Sequence, residues 1–140
     1  MPTDIASSTH TIPSAADRRR VRGLVTMLGG VGTLHFVKPE FFDPIVPKWM
    51  PGSARTWTIL SGVAEVSAAV LIASPRTRRV GGWLAAATIV GVYPANIQAA
   101  LDGGMAGAAP PFDSAAVAWA RLPLQFPMIA SAVKVARAAT

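Results

Sequence analysis

The stretch VGGWLAAATIVGVYPANIQAAL, residues 80–101, contains no Asp, Glu, Lys or Arg. A helix needs roughly 20 mainly apolar residues to cross the hydrocarbon core of a membrane, within a range of about 17–25. Gly and Pro are tolerated in such a helix because neighbouring helices satisfy the backbone groups that they free. Residues 80–101 therefore predict a transmembrane helix, with a kink at Pro94.

Three further windows share this apolar character. Residues 23–37 lack charged side chains, residues 56–75 contain only Glu65, and residues 114–133 contain only Arg121. None shows the polar stripe that a surface helix of a soluble helical bundle needs, which is the alternative interpretation. The sequence thus predicts an all-α fold, a four-helix transmembrane bundle over residues 18–140 that follows a flexible N-terminal tail, residues 1–17. The predicted helices cover residues 20–37, 56–74, 80–101 and 117–135.

The composition excludes several kinds of chemistry. Only 14% of the 140 residues are charged, against about 25% in an average soluble domain. The absence of Cys excludes disulfides, thiolate catalysis, Cys-ligated zinc and iron–sulfur clusters. The two histidines, His10 and His35, do not stand in a metal-binding spacing, and there is no hydrolase motif. We expect no metal site.

The net charge of +6 is distributed asymmetrically along the chain. Nine basic and two acidic residues lie in the hydrophilic stretch up to residue 22, the link 74–79 and the C-terminus, which meet on one side of a four-helix protein. The other side holds four basic and four acidic residues. The positive-inside rule then places both termini in the cytoplasm. The basic clusters lack interleaved aromatic residues, so we expect a lipid bilayer and no nucleic acid as the partner.

The segment between the first two predicted helices is rich in both proline and large apolar side chains. Residues 38–52 read KPEFFDPIVPKWMPG, and their four prolines forbid a long helix. The segment is nevertheless too apolar for a free loop, so it should fold back on the outer end of the bundle. It is interpreted as a plain structural cap or as a lid over a cavity that opens outward. The residues of this outer cap that we single out as candidates for the site are Glu40, Phe42 and Trp49.

Glu65 is the most informative single residue. A lone carboxylate deep in a membrane helix costs about 2.5–3.5 kcal/mol on insertion scales, so it should be paired, solvated or protonated. Arg121 is its predicted partner. A polar cluster from four helices should converge in the outer half of the membrane, either as a ligand pocket or as a hydrogen-bond network that fixes the packing. Its members are His35, Glu65, Asn96, Arg121 and Gln125, whereas Gln98 faces elsewhere.

Four stretches carry a resemblance to a known family. HFVKPEFFDPIVPKWMP (35–51), SGVAEVSAAVLIASPRTRR (61–79), YPANIQAAL (93–101) and RLPLQFPMI (121–129) together resemble the DoxX-like family of small four-helix membrane proteins. The resemblance implies a multi-pass protein of the bacterial cytoplasmic (inner) membrane. Relatives are named for a small subunit of a terminal quinol oxidase or a thiosulfate:quinone oxidoreductase. The matching positions, which are not established catalytic residues, are His35, Pro39, Phe42, Pro47, Glu65, Asn96, Arg121, Pro123 and Gln125.

Three functions stay open at this point. The first is a redox-associated subunit that is not catalytic alone and holds a quinone or another small amphipathic ligand in the outer pocket. The second is an accessory subunit that assembles with other membrane-protein subunits or as a homo-oligomer. The third is a small carrier, which would need oligomerisation to enclose a path. In the accessory subunit, the docking face would be the glycines of helix one, Gly23, Gly29, Gly30 and Gly32.

Overall fold

The computed structural model describes residues 14–139. Helices are the regular secondary structure of this part of the chain, with no β-strand among its residues. Two short 3₁₀ helices, Pro39–Phe41 and Asp43–Ile45, form the segment between the first two α-helices. The five α-helices are α1 (Ala15–Val37), α2 (Ala54–Ala73), α3 (Arg78–Gly91), α4 (Tyr93–Leu101) and α5 (Ala115–Ala138).

The chain runs up and down between two ends of a helical bundle. We call the end that carries residues 38–53 the cap end, and the end that carries residues 74–77 the link end. α1 packs along α2, α2 along α3, and α3 along α5, whereas α1 meets α5 along a much looser seam. α4 continues beyond α3 at the cap end and packs on the start of α5. The main core is built from small and medium apolar side chains of the four long helices, such as Leu28, Ala68, Ala85 and Ala132.

The first helix begins earlier than residue 20, where the sequence predicts its start. Ser14 is its N-cap, and its hydroxyl accepts a hydrogen bond from the backbone N–H of Asp17 across 3.1 Å, while the carboxylate of Asp17 accepts from the backbone N–H of Ser14. This capping box satisfies free donors in the first turn. Residues 15–17 therefore belong to α1 and not to a tail. The rest of the predicted tail, residues 1–13, lies outside the described residues.

The predicted helix over residues 80–101 is interrupted at Val92, where α3 ends and α4 begins. Pro94 follows in the first turn of α4. Its ring has no N–H to donate and clashes with the carbonyl four residues earlier, which favours a kink or a break at this point. By contrast, α5 accommodates both Pro123 and Pro127 within one continuous helix. The other helix bounds lie within three residues of the predicted ones.

Two helical stretches, Ala54–Ala73 and Arg78–Leu101, are long and apolar enough to span a membrane. The sequence predicts four such helices, but α1 and α5 have the length without reaching the same apolarity. The outer faces of the bundle nevertheless carry many exposed large apolar side chains. They include Val70 (64% exposed), Val80 (62%), Leu101 (66%) and Phe126 (63%).

Candidate functional site

A cavity of about 490 Å³ lies between α1 and α5, at the cap end of the bundle. Four residues of its wall are exposed: Val31 and Leu34 on α1, and Ala109 and Phe112 in the loop before α5. They mark where the cavity opens, along the loose contact between α1 and α5. Its volume falls within the range of about 300–1,000 Å³ that is typical of small-molecule sites. The polar members of its wall are Glu65, Asn96, Arg121 and Gln125.

The close approach of α1 and α2 positions the inner side of this cavity. A Cβ atom at Gly32 would lie 2.9 Å from the Cβ of Glu65, and one at Gly62 would lie 2.7 Å from the Cβ of His35. Only glycine fits at these two crossing points, because any side chain there would overlap the opposite helix. The two glycines therefore bring His35 of α1 beside Glu65 of α2.

His35 is buried and backs a smaller neighbouring cavity of about 70 Å³, which Glu65, Asn96 and Arg121 also line. Its ring stacks on Phe42, with the ring centroids 3.6 Å apart and the planes inclined by 17°. Its Nδ1 atom lies 2.9 Å from the carbonyl oxygen of Val31, which can only accept, so Nδ1 carries the proton and donates it there. The stack with Phe42 joins the cap segment directly to this polar cluster.

Glu65 is buried, with 6% of its surface exposed, and its Oε2 atom has no hydrogen-bond partner. His35 Nδ1 lies 3.5 Å away from Oε2, but the proton on Nδ1 is directed at Val31. The two atoms are therefore close to each other but do not form a hydrogen bond. The predicted pairing of Glu65 with Arg121 is wrong in this structure, because Arg121 donates its hydrogen bonds to other residues.

The guanidinium of Arg121 is held by two acceptors on the cap side of the cavity. Its Nη2 atom donates to Oδ1 of Asn96 across 3.0 Å, and its Nη1 atom lies 2.9 Å from the sulfur of Met105. Arg121 and Asn96 therefore form one polar unit between α5 and α4. The sulfur contact adds the loop before α5 to this unit.

Gln125 lies one turn further along α5 and is buried, with 6% of its surface exposed. Its Nε2 atom donates to the carbonyl oxygen of Ile89 across 3.4 Å, and its Oε1 atom has no partner. The structure thus brings all five predicted pocket residues to two adjoining cavities. Gln98 lies outside both cavities, as the sequence predicts. Its side chain donates a hydrogen bond to Asp102 across 2.9 Å.

The predicted cap residues have three different positions. Phe42 is buried, lines both cavities and packs with Ile45, Ala99 and Met105. Glu40 lies on the surface, where its carboxylate is 3.6 Å from the ammonium of Lys38. Trp49 is 73% exposed. Of the three predicted cap residues, Phe42 therefore belongs to the site.

Sequence reasoning missed the loop between α4 and α5 as a wall of the cavity. Met105 is buried in this loop, and Ala108 and Phe112 also line the cavity. Residues 103–112, GGMAGAAPPF, combine apolar side chains with Gly and Pro. The same combination predicts a folded cap over residues 38–52, so the signal was present in the sequence.

An ion pair fastens the cap segment to α2. Arg55 donates from Nε to Oδ2 of Asp43 across 2.8 Å. Burial by itself would raise the pKa of Asp43, but the hydrogen bond from Arg55 and its positive charge outweigh burial and hold the pKa of this carboxyl below its ordinary value. Among residues 14–139, no group of three or more His, Asp or Glu side chains gathers in a way that could hold a metal ion.

The fold and site define an all-helical protein with an internal, mainly apolar cavity that ends in a polar cluster. A family model described as a domain of unknown function, DUF8561, matches residues 24–136, and the chain belongs to this family. The matched range includes every residue of the cavity wall named above. No curated protein and no solved structure matches the chain.

Proposed function

We propose that this protein is a multi-pass membrane protein that binds a quinone-type ligand, or another small amphipathic ligand, in the cavity between α1 and α5. The single observation that carries the proposal is the cavity itself, with apolar walls leading to a polar end. An aromatic head group with an apolar tail has the same division of polarity. The resemblance of the sequence to DoxX-like proteins agrees with this ligand class and with a redox-associated subunit that is not catalytic alone.

The side chains at the mouth favour entry from a bilayer. Val31, Leu34 and Phe112 are exposed around the opening, and a large apolar surface open to water would be unfavourable in a soluble monomer. A lipid-soluble ligand could pass from the hydrocarbon region through the seam between α1 and α5 without crossing water. Its head group would then meet Arg121 and Gln125.

Binding of a decyl-substituted benzoquinone to the purified protein in nanodiscs tests the proposal by isothermal titration calorimetry. Arg121→Ala should weaken binding of the quinone, and Glu65→Gln binding of its quinol form, by about tenfold each, which corresponds to the loss of one hydrogen bond to a charged group. Glu40→Gln and Arg79→Ala are matched controls on the surface and should bind as the wild type does. Unchanged affinity in both Glu65→Gln and Arg121→Ala would contradict the proposal.

We further propose the bacterial cytoplasmic membrane as the location, with four membrane-spanning segments and both termini in the cytoplasm. The proposal is supported by the basic residues of the link end and by the exposed apolar side chains between the two ends. Because the chain has no Cys, single cysteines can be introduced cleanly. A membrane-impermeant thiol reagent should label Lys48→Cys in intact spheroplasts and Arg76→Cys only after permeabilisation. The reverse pattern would contradict this orientation.

A second candidate function, a non-catalytic accessory subunit, is favoured by one part of α1. Gly29 and Gly32 pack on α2, so they are not free for a partner, but a Cβ atom at Gly23 or Gly30 would meet nothing within 4 Å. These two open positions would let a helix of another subunit, or of a second copy, approach closely. Gentle solubilisation followed by native mass spectrometry tests this function, and recovery of a single chain would contradict it.

A further inference from the structure

We propose that the cavity binds the reduced form of its ligand, a hydroquinone, in preference to the corresponding quinone. The inference deepens the proposed function and rests on it. It follows from the hydrogen-bonding groups that the polar end of the cavity leaves without partners. A quinol and its quinone have nearly the same shape but differ in whether the two ring oxygens can donate hydrogen bonds.

Two buried acceptors of the cavity wall lack a donor. They are Oε2 of Glu65 and Oε1 of Gln125, and each residue is 6% exposed. A buried acceptor that stays unpaired carries the full cost of its lost hydration. Both oxygens are enclosed by neighbouring atoms, and both residues line the cavity. A turn of either side chain towards the cavity would let a ligand donor pair with its oxygen and remove that cost, whereas a ligand with only acceptors would add a further oxygen beside them.

The orientation of the Gln125 amide is determined by its neighbour. Nε2 lies 3.4 Å from the carbonyl oxygen of Ile89, which can only accept. The flipped amide would place two oxygens against each other, so Oε1 has to be the free group. An amide oxygen is an acceptor at any pH, and this acceptor therefore does not depend on whether Glu65 is ionised.

Arg121 supplies donors at the same end. Its guanidinium uses one N–H towards Met105 and one towards Asn96, and a guanidinium has five N–H groups in total. A quinol hydroxyl can accept from Arg121 and donate to Gln125 or Glu65 at the same time. A quinone carbonyl can only accept, so it would leave Gln125 unpaired. The polar end therefore suits a hydroxyl better than a carbonyl.

The preference has a consequence for the redox couple. Tighter binding of the reduced form raises the midpoint potential of the bound ligand, and a tenfold difference in affinity corresponds to about 30 mV for a two-electron couple. The protein would thus hold electrons on its ligand more firmly than the surrounding membrane does. No electron transfer by this chain is needed for that effect.

The test compares the two redox forms of one ligand on the purified full-length protein. The dissociation constants of a decyl-substituted benzoquinone and of its quinol, the latter kept under argon, are measured by calorimetry in nanodiscs. We expect the quinol to bind at least about tenfold more tightly. Gln125→Met, which removes the acceptor at similar volume, should lower the ratio to below about threefold. Gln98 pairs with Asp102 outside the cavity, so Gln98→Met should keep the wild-type ratio of the two affinities.

Each outcome separates this inference from the proposed function. Equal affinities, or tighter binding of the quinone, would overturn the preference but leave quinone-type binding intact. Absence of binding by both forms would overturn both. An unchanged ratio in Gln125→Met would also overturn the inference. If Gln125→Met does not fold, the wild-type ratio alone decides it.

Discussion

Nη2 of Arg121 donates a hydrogen bond to Oδ1 of Asn96 across 3.0 Å, and this bond joins α5 to α4 at the polar end of the cavity. The same guanidinium does not pair with Glu65. Because Asn96 and Met105 hold the guanidinium, the carboxylate of Glu65 keeps an unpartnered oxygen. The unpartnered oxygen of Glu65 is therefore a consequence of where the Arg121 guanidinium is held.

Replacing Asn96 by Ala should destabilise the protein. The change removes the oxygen that Arg121 binds and leaves a half-buried guanidinium with fewer partners, so we expect the free energy of unfolding to fall by about 1–3 kcal/mol. Thermal unfolding in detergent, followed by circular dichroism, measures the effect. Gln98→Ala is the matched control, because it removes only the contact with Asp102 on the side away from the cavity. Equal melting temperatures for the two variants would contradict this role of Asn96.

Replacing Gly62 by Ala should push α1 away from α2. The new Cβ atom would lie 2.7 Å from the Cβ of His35 and 3.0 Å from the carbonyl oxygen of Gly32, closer than atoms can pack. We expect a loss of about 1–3 kcal/mol, which is typical of overpacking, together with weaker ligand binding because His35 and Glu65 move apart. Gly30→Ala is the control, since nothing lies within 4 Å of its added Cβ. Because Ala has a better helix propensity than Gly, Gly30→Ala should leave the free energy of unfolding unchanged or slightly raised. A Gly62→Ala protein as stable as Gly30→Ala would contradict the close crossing.

The ion pair between Asp43 and Arg55 should stabilise the protein only while Asp43 is ionised. The pKa of Asp43 is lower in the folded protein than in the unfolded chain, so its contribution is present above the unfolded value of about 3.9 and is lost as the pH falls through the folded value. We expect Asp43→Asn to lower the melting temperature at pH 6 and the difference from wild type to shrink towards pH 3. The effect should be modest because the side chain of Arg55 is 56% exposed. A difference that grows on acidification would contradict this account.

The sequence predicted the helical class and the convergence of the pocket residues because charge-free windows and isolated polar residues are strong local signals. The window 56–75 and its lone Glu65 illustrate this: the structure has a helix there and buries the carboxylate. The same signals predicted four membrane-spanning helices. In the described residues, two helical stretches are long and apolar enough to span a membrane. The start of α1 was missed because the prediction followed apolarity and did not use the capping pair of Ser14 and Asp17.

The partners of the polar side chains could not be predicted in the same way. Charge favours Glu65 as the partner of Arg121, but the choice among Glu65, Asn96 and Met105 depends on side-chain direction and on how the loop before α5 folds. The stack of His35 on Phe42 likewise joins two residues whose contact depends on how the cap turns back over the bundle. Such contacts depend on tertiary geometry, which local sequence patterns do not determine.

Blocking the mouth of the cavity between α1 and α5 should prevent ligand binding if this cavity is the binding site. Val31 lies at the opening and is 39% exposed, whereas Val70 is 64% exposed on α2 and does not line the cavity. Either position should accept a larger side chain without unfolding the protein, because both face outward. The measurement is the affinity of the decyl-substituted benzoquinone, in its tighter-binding redox form, for Val31→Trp and Val70→Trp. We expect at least about a tenfold loss of affinity for Val31→Trp and wild-type affinity for Val70→Trp. Equal affinity of both variants and the wild type would contradict this expectation.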